Sequence, residues 1–283
     1  MPRVRPVAFL RVDIKDPLRL DSTGHPPLHV SSNQSPGRWH FAKESLAGLK
    51  KDSPMNTIVP RSRTLVFDVN ETLLDIDVLK PFFERVFGNA RVLRDWFAEL
   101  ILYSEALSLS GEYTPFNKLA VAVLQMVGEV QQIVLKRADI EEFKSTLSNL
   151  PPHREVPEAL EALASAGFRM ATLSNSAAEA SKSSLLQACL SDFFGHTFSV
   201  DAVAKFKPAK EVYDHVARVL NAQPSDLRLI AAHTWDTLGA IAAGYRAAFV
   251  ARPGNAPLAI GVQPDIVESD LLETARRIIE IDC

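Results

Sequence analysis

A chain of 283 residues that is 47% apolar and 23% charged has the composition of a folded globular protein, which excludes wholesale disorder. Lys and Arg total 31 against 34 Asp and Glu, a net charge of −3, so no basic excess advertises nucleic-acid binding. No apolar run approaches the roughly 18 residues of a membrane span, and the most apolar stretch, Gly239–Ala251, is broken by Arg246. Two cysteines, Cys189 in an apolar stretch that reads as helical and Cys283 at the end, are too few for a disulfide framework or a zinc site. These features together predict a soluble, reduced, cytoplasmic protein.

Residues 1–54 hold seven of the 18 prolines and three of the seven histidines, with no sustained helical or alternating pattern. Their charge is nine basic minus five acidic, or +4, which leaves 22 minus 29, or −7, for the rest. Such a segment reads as a flexible extension without catalytic function. Arg3, Arg5 and Arg11 suggest a targeting peptide, but Asp13, Asp16 and Asp21 spoil an acid-poor signal, and Met55 is an alternative start.

From Thr64 the pattern sharpens. Thr64–Phe67 is a short β-favouring run that ends on Asp68, and similar runs recur at Arg169–Leu173, Leu227–Ala232 and Ala247–Val250. Amphipathic helical stretches separate them, notably Glu155–Ala166 and Lys210–Leu220. Buried strands alternating with helices predict an α/β fold: a Rossmann-like parallel sheet with helices on both faces. The hundred or so residues after the first strand exceed a single crossover. Leu93, Trp96, Phe97, Leu100, Ile101, Ser104 and Leu107 have the spacing of a helix with an apolar face, and Leu119–Val127 and Ile140–Leu147 read as further helices. Residues 78–150 are therefore expected to form an inserted helical cap on a core made of 55–77 and 151–283. The alternative is that these helices belong to one larger core.

Ligands of open parallel sheets sit beyond the C-terminal strand ends, so Asp68, Ser174, Asn175 and the segment His233–Asp236 should converge. A strand-end Asp is weak evidence alone. It gains weight from FDVNETLLD (Phe67–Asp75), TLSNS (Thr172–Ser176), VAKFKPAKEVYDHV (Val203–Val216) and AAHTWDTLGA (Ala231–Ala240). In this order and spacing they resemble the haloacid dehalogenase superfamily, specifically its type II L-2-haloacid dehalogenases, over about Thr64 to Ile279. A buried, positioned carboxylate can act as a nucleophile, a neighbouring lysine keeps it ionised, and the resulting ester needs water activated by a second carboxylate. The resemblance gives these parts to Asp68, Lys207 and Asp236, with Ser174, Thr72 and Asn175 as orienting groups.

The superfamily's magnesium-dependent phosphatases resemble one another in an Asp two residues after the nucleophile and a further acidic residue in the last motif. Here those positions hold Asn70 and Ala231, which implies chemistry without a metal or cofactor. The dehalogenase pattern is incomplete too. Asn70 stands where the pattern has Tyr, and Phe97, on the first long cap helix, where it has an Arg for substrate or halide contact. His233 replaces the usual Asn, and reads either as a donor to a departing halide or the hydrolytic water, or as an ordinary strand-end histidine. Trp235 and Phe116 match pocket aromatics, and with Phe97 would form an apolar lid, unless the two phenylalanines are plain cap core. Tyr213 reads as a hydrogen-bond partner near Asp68 or as a helix-packing tyrosine. The resemblance thus implies hydrolysis of short 2-haloacids through an aspartyl ester, with a homodimer formed by the cap helices. A same-fold hydrolase of a small phosphate ester and a non-catalytic binding protein stand as alternatives.

Overall fold

A computed structural model describes residues 64–283, so the extension expected over 1–54 lies outside the described residues. Six strands and nine helices are present among the described residues. In chain order they are β1 (Thr64–Phe67), α1 (Lys80–Phe87), α2 (Val92–Ser110), α3 (Phe116–Val130), α4 (Arg137–Ser148), α5 (Val156–Ser165) and β2 (Arg169–Ser174). There follow α6 (Ala178–Gln187), β3 (His196–Ser199), α7 (Lys210–Val219), β4 (Leu227–Ala231), α8 (Thr234–Ala242), β5 (Arg246–Val250), β6 (Ile266–Glu268) and α9 (Leu271–Asp282). The strands form one parallel sheet in the order β3-β2-β1-β4-β5-β6. The order reverses between β1 and β4, the place where open parallel sheets offer a crevice to ligands.

The central strands are buried on both faces, which is why β1 (TLVF) and β4 (LRLIA) read as runs rather than alternations. Val66, Leu173 and Leu229 point into a core covered by α7 and α8 and continuous with α1–α3, whereas Leu65, Phe67 and Ile230 meet α5 and α9 on the opposite face. Within β4 the polar exception is Arg228, fully buried, whose Nε donates to Asp282 Oδ2 (2.9 Å) on α9 while its fork also grips Asp265. That cluster ties β4 to the C-terminal helix.

The expected strands and helices are found at or within a few residues of their places, and β3 and β6 add to them. Both additions are short, partly exposed and at the sheet edges, so their sequences lack a continuous apolar run. The apolar stretch Gly239–Ala251 divides into the end of α8, a turn at Gly244 with φ +93°, and β5. Cys189 is not helical as expected: α6 stops at Gln187, and Cys189 is exposed in a turn at φ +56°, because only Ala188 and Leu190 beside it are buried.

Between β1 and α5 run α1–α4. α2 is 19 residues long and turns Leu93, Trp96, Leu100 and Ile101 inward before Gly111, at φ +79°, ends it. The Trp96 indole is buried against Phe83 and Phe143 and donates to the Ala120 carbonyl (3.0 Å), which pins α2 to α3. No described helix is long and apolar enough to cross a membrane.

Candidate active site

Asp68 is the first residue past β1, and its N–H donates to the Ile230 carbonyl of β4 (3.0 Å), so its position is set by the sheet. Its carboxylate is buried. Thr72 Oγ1 donates to Oδ2 (2.6 Å) and is itself held by the Ala232 N–H (2.9 Å), linking the turn after β1 to the end of β4. Lys207, fully buried, donates to Asp68 Oδ1 (2.8 Å), Asp236 Oδ2 (2.6 Å) and the Leu173 carbonyl (3.1 Å), which uses all three ammonium hydrogens. Asn175 Oδ1 accepts from the Lys207 backbone N–H (3.0 Å) and fixes the loop that delivers the lysine. Asp236, in the first turn of α8, accepts from the Tyr213 hydroxyl at Oδ1 (2.7 Å). α8 can lie this close to Tyr213 because residue 239 is glycine: a Cβ there would sit 2.7 Å from the tyrosine hydroxyl and 2.6 Å from Pro208.

The two carboxylates share a lysine, yet their pKa values move in opposite directions. At both, burial raises the pKa. At Asp68 the Lys207 charge and then His233 outweigh it, holding the carboxyl well below the usual range. At Asp236 burial wins, with Lys207 opposing and the Asp68 charge reinforcing it, so its pKa is raised. Lys207 is pushed down by burial and back up, further, by Asp236 and Asp68. Burial likewise lowers His233, but the neighbouring Asp68 and Glu71 carboxylates override this and bring it up to about 9. The site therefore presents an ionised Asp68, an Asp236 able to take a proton and two neighbouring cations.

Above Asp68 is a cavity of about 10 Å³ lined by Asn70, Phe97, Ile101, Phe116, Ser174, Asn175, His233 and Trp235. That is roughly the room of one water, so the carboxylate is closed off from solvent. Phe97 and Trp235 both stack on the His233 ring, with centroids 5.4 and 4.8 Å away. Trp235 also lies over the Lys207 ammonium at 5.6 Å. Ser174 Oγ accepts from the Ser176 N–H (3.0 Å), and Asn70 Nδ2 approaches Ser176 Oγ (3.4 Å) across the mouth.

Residues 63–244 match the family model of haloacid dehalogenase-like hydrolases. The chain belongs to that family. It is 30% identical to (S)-2-haloacid dehalogenase 2 of Pseudomonas sp. strain CBS-3 over 213 residues, 75% of this chain and 93% of that protein. Among solved structures, an L-2-haloacid dehalogenase superposes with a TM-score of 0.74 at 25% identity, covering 77% of this chain and 99% of its own. The L-2-haloacid dehalogenase of Xanthobacter autotrophicus with chloropropionic acid covalently bound shares the fold, with a TM-score of 0.71 at 22% identity, over 77% of this chain and 99% of that one.

Within this haloacid dehalogenase-like frame the expected residues divide into layers. Asp68, Asn70, Ser174, Asn175, His233, Phe97, Phe116 and Trp235 line the cavity, and Lys207 and Asp236 lie beneath it. Thr72, expected as an orienting group at the substrate, and Tyr213, expected as a partner near Asp68, line no part of it: Thr72 is spent on Asp68 and Tyr213 on Asp236 rather than on Asp68. The physical reason is depth, since both side chains are fully buried behind the carboxylates they serve.

Sequence reasoning missed Glu71 and Arg94. The buried Glu71 carboxylate approaches His233 Nε2 at 2.8 Å and also accepts from Arg94 of α2. Burial raises its pKa, and His233 and Arg94 more than reverse this, so the group is held below its usual range. Arg94 precedes Phe97 by three residues, one turn of the helix earlier, so a cation does reach this end of the site from α2, although not into the cavity. The only sequence signal was an acidic residue among the polar residues of the turn after β1.

The wider superfamily implies magnesium, and the side chains do not fit it. The space between Asp68 and Asp236 is filled by the Lys207 ammonium, and among the described residues no three His, Cys, Asp or Glu side chains converge to hold an ion.

Proposed function

We propose that the chain is a metal-independent hydrolase that cleaves the carbon–halogen bond of short 2-haloacids and yields 2-hydroxy acids. The observation that carries this is an ionised carboxylate, Asp68, buried under an apolar lid of Phe97, Ile101, Phe116 and Trp235. A carboxylate stripped of water and held in line is a competent nucleophile at saturated carbon. The names of the relatives, all haloacid dehalogenases, support the same substrate class.

In the first step an Asp68 oxygen attacks C2 of the haloacid, and the halide departs with the bonding pair. Donors at the cavity wall, Asn70, Ser174 and Asn175, orient the substrate carboxylate, and His233 lines the same wall beside Asp68. In the second step water adds to the Asp68 ester carbonyl and gives its proton to Asp236. Collapse breaks the bond between the carbonyl carbon and the alkylated oxygen, and the departing alkoxide takes the proton back from Asp236, so the product hydroxyl carries an oxygen from Asp68. Lys207 holds Asp68 ionised before the attack and Asp236 in place for the second step.

In this reading α1–α4, within about 78–150, act as the cap that closes over substrate. With a cavity near 10 Å³, they must yield for even haloacetate to enter. Two copies are expected to pair through the same helices, which light scattering would check. The decisive assay is halide release from L-2-chloropropionate and bromoacetate with EDTA present. Release by the wild type that Asp68→Asn abolishes is the expected result. Magnesium-stimulated phosphate release from a generic phosphate ester, with no halide from either acid, would overturn it.

A further inference from the structure

Glu71 takes no part in the two steps above, yet its placement is costly. It is buried, and its backbone has φ +66°, the left-handed region where a Cβ is strained and glycine is the usual occupant. Neither feature helps the turn itself, which would be satisfied by a residue without a side chain. What the side chain does instead is specific. One carboxylate oxygen approaches Nε2 of His233 at 2.8 Å, and the other accepts from Arg94, whose guanidinium is anchored by the Pro253 carbonyl (3.1 Å) and by Asp77 (3.4 Å). With Nε2 engaged, Nδ1 of the same ring faces Asp68, 3.3 Å from Oδ2. The buried Nδ1 makes no hydrogen bond among the described residues, so its proton is left for charge that develops on Oδ2. Phe97 and Trp235, both stacked on the ring, help to hold its plane.

The two oxygens of Asp68 are not equivalent. Oδ1 accepts from Lys207 alone, whereas Oδ2 accepts from Thr72 and faces His233. Oδ1 thus keeps a lone pair for attack, and Oδ2 becomes the carbonyl oxygen of the ester. We propose that Glu71 is a positioning residue that fixes His233 as a cation with its Nδ1–H turned to Oδ2, so that His233 and Thr72 together stabilise the oxyanion formed when water attacks the ester. This rests on the reading of Asp68 as an alkylated nucleophile. The electron balance is simple: water's oxygen bonds to the ester carbon, the carbonyl pair moves onto Oδ2, and the water proton passes to Asp236. Collapse returns the pair and breaks the bond to Oδ1, and the departing alkoxide takes the proton back from Asp236, which releases the 2-hydroxy acid and leaves Asp68 to shed the proton that water brought to it. A fixed donor waiting at the developing charge is the usual source of such catalysis.

The charged groups around His233 come from each neighbouring element. Asp68 and Glu71 lie on the turn after β1, and Arg94 and Glu105 lie on α2, with Asp77 behind Arg94. Lys207 and Asp236 sit beneath Trp235, and His153 contacts the Glu71 carbonyl (3.0 Å). Of these, Glu71 is the anion that meets Nε2. Removing its charge should let the ring lose its proton at lower pH, while removing Arg94, a competing cation, should have the opposite effect.

The test is an NMR titration of the His233 ring without substrate in wild type, Glu71→Gln and Arg94→Gln, assigned with His233→Asn, together with single- and multiple-turnover halide release from bromoacetate. Expected are a His233 titration lowered by about one unit or more in Glu71→Gln and raised in Arg94→Gln. In Glu71→Gln a stoichiometric halide burst should persist while turnover falls about threefold or more at about pH 8.5, with ester visible by intact mass, and much less at about pH 6. Adding Glu71→Gln to His233→Asn should change nothing further. An unchanged histidine titration, a loss equal at both pH values, or an equal loss in the His233→Asn background would overturn the proposal. Should Glu71→Gln not fold, a downward or absent shift in Arg94→Gln would do so instead. Absence of halide release by the wild type would count against the dehalogenase reading alone, since the titration needs no substrate.

Discussion

Replacing Lys207 by Met keeps most of the side-chain volume and removes the charge that both carboxylates share. At 2.8 and 2.6 Å, and with an effective dielectric of about 20, each attraction is about 6 kcal/mol before solvation is subtracted. Desolvation of fully buried ions offsets several kcal/mol, and breaking such a pair by removing one partner typically costs about 3–5 kcal/mol. The variant avoids much of that by protonating a carboxylate. Asp68 loses the cation that chiefly opposes its burial, and a buried acid without that help can rise by about 3–5 pKa units. At neutral pH most of Asp68 is then neutral and cannot attack. Halide release from bromoacetate should fall by up to about 60-fold at pH near 7 and recover much of the loss as the pH is raised toward about 9, each unit restoring up to tenfold. Thermal unfolding of the same samples checks that the fold survives. A loss of equal size at every pH, or a wild-type pH profile, would refute the assignment of Lys207 as the group that keeps Asp68 ionised.

Tyr213→Phe removes the 2.7 Å bond to Asp236; a hydrogen bond to a charged group is worth about 1.5–3 kcal/mol, so steady turnover should slow about 10- to 100-fold while the first halide burst is kept. Asp282→Ala leaves the buried Arg228 with Asp265 as its remaining carboxylate and should lower unfolding stability by about 3 kcal/mol in denaturant titration, with halide release per folded molecule little changed. Stability should also depend on pH at both ends. Asp68, held below its unfolded value, contributes above about pH 4 and loses that contribution as pH falls through its folded pKa. His233, raised to about 9, contributes fully below its unfolded value of 6.5 and loses it as pH rises through 9, so His233→Asn should flatten the alkaline decline.

The sequence was most informative where burial and chemistry coincide. Asp68, Ser174 and His233 lie at the ends of short buried strands, and a polar residue closing a buried parallel strand is a positional statement as much as a compositional one. Lys207 was legible only through its spacing from these, because nothing local says that its ammonium will bridge two carboxylates 139 and 29 residues away. The partner of Tyr213 was missed by one shell, since the approach that brings it to Asp236 depends on Gly239 admitting α7 against α8. Glu71 was missed altogether. Its contact with His233 requires a left-handed backbone at a residue that ordinarily avoids it, together with a sheet order that places β1 beside β4. β3 and β6 escaped for the opposite reason: edge strands of four and three residues carry too little pattern to stand out from loop.

The central claim, that Asp68 is alkylated and then hydrolysed, is tested most directly by single turnover in heavy-oxygen water with enzyme in excess over L-2-chloropropionate. Digestion and mass spectrometry should find the solvent oxygen in the peptide carrying Asp68, and ordinary oxygen in the 2-hydroxypropionate. Solvent oxygen found in the product, with the Asp68 peptide unlabelled, would mean that water attacks the substrate directly and would contradict the account.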